Sequence, residues 1–120
     1  MNFFKSMALG LIFLSSLANA KVSLEAALVD DGFLTVIPGM ILEMNQPSVQ
    51  FVDEIRFEAT LTEANTVVFD IAFKDENENY VSILQPELTL NPEETKAVLE
   101  LATKNGNQLV LVVQVNEIKE

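Results

Sequence analysis

Glu58 and Asp70 raise the first chemical question. If residues 55–61 and 66–74 pair as an antiparallel hairpin, these two carboxylates stand opposite each other, with Glu54 and Arg56 on the same polar side. Two close carboxylates are the minimum for an acid–base pair, because their repulsion splits their proton affinities. Without a cation such as Arg56 beside them they simply repel. Glu54, Glu58 and Asp70 therefore form the candidate acidic cluster. No pocket or substrate-positioning group is evident around them in the sequence, so a surface salt-bridge lattice is the simpler expectation.

Other chemistries are thinner still. The chain has no histidine and no cysteine. That removes Ser-His and Cys-His nucleophile pairs, imidazole or thiolate zinc sites, and histidine acid–base catalysis. Asp75, Asn77 and Asn79 place oxygens at positions 1, 3 and 5 of a calcium loop. The sixth position, where a sharp turn calls for Gly, is Tyr80, and the twelfth, where a bidentate Glu belongs, is Pro86. The segment reads as a solvated hairpin turn. No catalytic residue, metal ligand or cofactor is assigned.

A third constellation is apolar. Phe33, Met40, Leu42 and Met44, with Ile41 between, make the most hydrophobic stretch of residues 21–120. Methionine adapts to varied surfaces, so an exposed strand here would suit a protein partner by strand addition. A buried strand would make the same residues core.

Position in the cell follows from the first twenty residues. Lys5 is their only charge, Met7–Leu17 is apolar but short for a spanning helix, and Ala18-Asn19-Ala20 offers small residues at −3 and −1. This is the pattern of a cleaved secretory signal, with Lys21 as the new N-terminus and the periplasm, or secretion, as the destination. No later segment is long and apolar enough to span a membrane. The rest, residues 21–120, is the size of one domain.

The whole chain carries 7 basic and 18 acidic residues, a charge of −11 that becomes −12 when Lys5 leaves. Such a charge opposes binding to nucleic acid and anionic lipid, and favours solubility or a cationic partner. Without cysteine no disulfide can staple the fold, so the core alone must stabilise it.

The elements that must position these residues are mostly strands. Val22–Leu28 alternates, and Asp30-Asp31-Gly32 turns the chain. Phe33–Ile37 and Met40–Met44 are two strand segments around Pro38-Gly39, a dipeptide suited to a type II turn or to a bulge in one long strand. Ile55, Phe57, Ala59 and Leu61, then Val67, Phe69, Ile71 and Phe73, alternate with polar neighbours. A three-residue loop, Glu63-Ala64-Asn65, keeps both sets on one face, with Asn65 left-handed. Tyr80–Leu84 is a further strand. Asn91, Pro92 and Glu94 resemble a helix start and Gly106 a helix end, so a helix is expected over 92–103. Asn105-Gly106 also supports a hairpin between Val98–Leu101 and Leu109–Val115. The unbroken apolar run of Leu109–Val113 suggests a central strand buried on both sides.

The expected fold is therefore mainly β: an antiparallel sandwich or compact sheet of about seven strands with one helix near 92–103. An α+β arrangement, with that helix packed on one sheet, is the alternative. The expected function is non-enzymatic: binding another envelope or secreted protein through a sheet edge and the acidic surface. An inhibitor or sequestering protein for a cationic enzyme is the narrower alternative. A carboxylate-only hydrolase ranks last, because the chain has no Trp and one Tyr to build a substrate platform.

Overall fold

A computed structural model describes residues 21–63, 65–91, 95–103 and 106–118. The expected signal segment 1–20, Ala64 of the loop, and positions 92–94 of the expected helix start lie outside the described residues. Asn105 of the alternative hairpin turn does too.

Among the described residues nine strands follow in order: β1 (Lys21–Asp30), β2 (Phe33–Glu43), β3 (Ser48–Val52), β4 (Ile55–Leu61), β5 (Thr66–Lys74), β6 (Tyr80–Leu84), β7 (Glu87–Thr89), β8 (Lys96–Ala102) and β9 (Gln108–Glu117). They form two antiparallel sheets. The first, sheet A, has the order β2-β1-β9-β8. The second, sheet B, has the order β3-β4-β5-β6, and β7 pairs with the other end of β5. β6 and β7 together make one edge, broken at Gln85-Pro86, where the Pro86 carbonyl still accepts a 2.9 Å bond from Phe69 N–H.

The period-two pattern of β4 and β5 sets the packing. Phe57↔Ile71, Ala59↔Phe69 and Leu61↔Val67 are direct cross-strand pairs, and all six side chains are buried. The rings of Phe57 and Phe69 lie 5.6 Å apart, tilted by 50°. Leu24, Leu28, Leu111 and Val113 from sheet A join the same core. Each such large side chain contributes about 1.5–3 kcal/mol through burial, which is what a disulfide-free domain must rely on.

The turns follow local chemistry. Asp31 and Gly32 both have positive φ and close β1–β2 as a two-residue loop between the paired Asp30 and Phe33. Thr62 N–H bonds to Thr66 O at 2.8 Å, and Asn65 sits at φ 59°, as its side chain allows.

One expectation is corrected, and one pair of alternatives is decided. Among the described residues there is no helix near 92–103, since Lys96–Ala102 is strand β8. Helix propensity is a weak prior. Here it loses to a period-two pattern, with Ala97, Leu99 and Leu101 turned inward, and to pairing with β9, which would otherwise leave its backbone groups open beside its most apolar run. Of the two readings of Pro38-Gly39, the type II turn fails and the bulge in one long strand holds. Leu24 pairs with Met40 and Ala26 with Ile37, so β2 carries one extra residue, a bulge inside one continuous strand. β2 is an edge strand, where a proline costs no ladder bond.

Candidate functional site

The acidic cluster is only partly assembled. Glu58 and Asp70 are direct cross-strand partners on the outer face of sheet B, as the hairpin register requires. Arg56 stands beside them, its Nη2 3.6 Å from the Asp70 carboxylate, and the Ser82 hydroxyl donates a hydrogen bond to Asp70. The cation therefore relieves the like-charge pair. Glu54 does not join. It lies exposed in the turn between β3 and β4, where its carbonyl accepts a 2.9 Å bond from Lys74 N–H. Among the described residues no three acidic side chains gather closely enough to hold a metal ion.

An aromatic pair completes this face. Phe51 and Tyr80 reach over β4 and β5 with ring centroids 5.4 Å apart, and Lys74 sits 5.5 Å from the Tyr80 ring. Ala72 is fully buried although its neighbours in the same outward row, Arg56 and Ser82, are polar. The Arg56 Nε is buried without a hydrogen-bond partner among the described residues. The arrangement covers the outer face of the sheet over Ala72.

At 75–79 the calcium-like oxygens are spent on the turn itself. Asp75 Oδ1 accepts from the backbone N–H of Asn77 at 2.8 Å and of Asn79 at 2.9 Å. This is an Asx-type hairpin closure. A shallow hollow of about 50 Å³ lies between β7 and β8, lined by Leu88, Leu90, Ala97 and Val115 among others. Pockets for small molecules run to about 300–1,000 Å³, so it is too small for one.

The apolar segment divides at the bulge. The extra residue reverses which side chains face inward, so Ile37, Met40 and Leu42 are buried, and Met44 is half-buried against the core. Of the four candidates for partner contact, Phe33 alone is freely exposed, at 80%. Met40 and Leu42 belong to the core. The outward residues of β2 are instead Leu34, Val36 and Ile41.

These outward residues continue across the sheet. Val36 pairs with Ala27, Ala27 with Val112, and Val112 with Val98, so one apolar row crosses all four strands. At a strand spacing of about 4.8 Å the row is about 14 Å long. Leu34, Val29 and Val110 form a second row beside it, ended by Glu100 on β8. Val36 and Val98 are 64% and 65% exposed, and Val112, on a central strand, is 37% exposed. The run Leu109–Val113 is thus central as expected, but within this chain it is buried on one side only.

No family model matches the chain, and comparison with characterised proteins and with solved structures returns no match. The functional reading rests on these two outer faces.

Sequence reasoning misses Leu34, Val36 and Val98. A bulge at Pro38-Gly39 reverses the inward parity of one half of β2, and a dipeptide that suits a turn as well as a bulge does not disclose the reversal. The helix expectation hides Val98. The signal that could have found them is Val112, an apolar residue on the polar-parity side of a strand that has to be central.

Proposed function

We propose that residues 21–120 form a non-enzymatic binding module of the bacterial envelope, which holds another protein against the outer face of sheet A at its β2 edge. The observation that carries this reading is the row Val36–Ala27–Val112–Val98. It leaves branched apolar side chains in water across a whole sheet, where an antiparallel sheet ordinarily turns polar residues outward. The leader-like residues 1–20 support the compartment, and the absence of histidine and cysteine supports a role without turnover chemistry. The charge of the released domain supports a partner with a cationic surface, steered in by long-range attraction.

The test is capture of envelope proteins by immobilised wild type and by Val36→Lys and Leu34→Lys variants, at low and at physiological salt. The reading expects one partner, lost or released faster with either lysine, and associating more slowly once the Debye length falls to about 8 Å at 0.15 M. Capture indifferent to both lysines would rule out this surface. Turnover of an envelope substrate, abolished by Asp70→Asn, would overturn the non-enzymatic reading.

A further inference from the structure

Among the described residues the four sheet edges differ in how they are guarded against pairing with another chain. β2 carries a proline and a bulge, β6 and β7 are broken at Gln85-Pro86, and β3 is five residues long. These are recognised ways of blunting an edge. β8 has none of these three, and of the charged side chains that can also guard an edge it carries one of each sign, Lys96 and Glu100. Its seven residues, Lys96-Ala97-Val98-Leu99-Glu100-Leu101-Ala102, contain no proline and pair with β9 without a register shift.

The direction of its backbone groups can be read from the ladder. Thr95 O accepts from Val115 N–H at 2.7 Å, and Thr103 N–H donates to Asn107 O at 2.9 Å. Backbone groups in an antiparallel ladder alternate between the two sides, so odd-numbered residues of this strand face β9. Those of Lys96, Val98, Glu100 and Ala102 face the open edge. The same four residues are exposed on the outer face of sheet A.

This edge is complementary to itself. An antiparallel two-fold axis through Val98 sets Val98 against Val98 of a second copy, Lys96 against Glu100, and Glu100 against Lys96. All three are positions whose backbone groups already point outward, so each pair exchanges both of its hydrogen bonds. Lys96 and Glu100 have no ion pair among the described residues, so both charges are available. A shift of register by two residues loses the lysine–glutamate match.

We infer that β8 is a homodimer seam: two copies pair antiparallel through β8 about Val98 and join their four-stranded sheets into one continuous sheet of eight. The seam is locally neutral in a strongly acidic protein, and its one lysine and one glutamate meet as unlike pairs in the two-fold register, which suits a second copy. The apolar row then runs unbroken across both copies, and the two β2 edges remain free at the far ends. The dimer does not depend on the partner surface proposed above.

The decisive experiment is sedimentation velocity on the protein expressed as the full chain and purified in the form the cell leaves it. Wild type, Lys96→Glu, Glu100→Lys and the double variant are compared up to about 100 µM, a range that resolves micromolar association. Wild type is expected to dimerise. Either single reversal replaces two unlike pairs by two like pairs and should weaken the dimer at least about tenfold. The double variant restores both pairs and should recover the dimer. An equimolar mixture of the two single variants should form a heterodimer. One chain then brings two acidic residues to the seam and the other two basic ones, so both cross-strand pairs are unlike. Circular dichroism confirms that each variant is folded. A wild type that stays monomeric throughout the range overturns the seam. So does a dimer untouched by both reversals, or a mixture that fails to associate when its two components are folded.

Discussion

The outer faces of the two sheets are built from the same antiparallel ladder and carry opposite chemistry. On sheet B the central strands turn Arg56, Glu58, Thr60, Thr66 and Asp70 outward beside the half-buried Val68 and the buried Ala72, and the exposed large apolar residues of this face, Val49 and Phe51, lie on the edge strand β3. On sheet A the outward apolar residues cross the whole sheet, from Val36 and Val98 on the edge strands to Ala27 and Val112 on the central pair. Alternation alone would make both faces polar. The difference teaches where to look for function: the charged lattice of sheet B balances itself, whereas the outer face of sheet A leaves its apolar surface unsatisfied in an isolated chain.

The largest effect should come from the core that separates the two faces. Phe69→Ala removes a fully buried ring packed on Phe57 and should cost about 3–5 kcal/mol in chemical denaturation. A cost comparable to that of a surface change would mean the β4–β5 register is misassigned.

Next, β2 should split by side. Met40→Lys or Leu42→Lys drives a charge into the core and should abolish cooperative unfolding, whereas Val36→Lys and Ile41→Lys should leave circular dichroism and the melting transition nearly unchanged. If all four behave alike, the bulge does not reverse the parity of the strand.

Smaller effects belong to the lattice of sheet B. Arg56→Ala leaves Glu58 and Asp70 facing each other uncompensated and should destabilise by about 1 kcal/mol. Glu58→Gln alone should stay within about 0.5 kcal/mol of wild type. In the double variant much of the arginine effect should vanish, because the like-charge pair it relieves is gone. Strict additivity would show that Arg56 acts through packing over Ala72 instead.

The contrast between hairpins shows what the residues disclose and what they conceal. The described residues that flank the β4–β5 and β8–β9 loops share the same closing hydrogen bonds. Thr62 N–H bonds Thr66 O and Asn65 is left-handed in one, and Thr103 N–H bonds Asn107 O and Gly106 is left-handed in the other. The first is plain in the sequence, because four apolar residues on each strand alternate with polar ones. The second is not. Apart from Val98, Lys96–Ala102 consists of good helix formers, and only three half-buried residues carry its period. Its partner β9 decides the matter, and that is a tertiary effect invisible to local propensity. β3 and β7 are too short to show a period of their own, and their pairing depends on β4 and β5. For the candidate sites, the meeting of Glu58, Asp70 and Arg56 follows from register alone. The binding face does not, because it needs four strands in spatial order, and that order places β9 beside β1 across most of the chain's length.

One measurement addresses the difference between the faces directly. A photoreactive amino acid is placed at Val36 in one variant and at Glu58 in another, and both are illuminated in the cells that make the protein. The proposed function predicts a discrete adduct with another envelope protein from position 36, weakened when Leu34→Lys is added, and none from position 58. Adducts from position 58 alone, or equal adducts from both, would contradict the assignment of binding to the apolar face of sheet A.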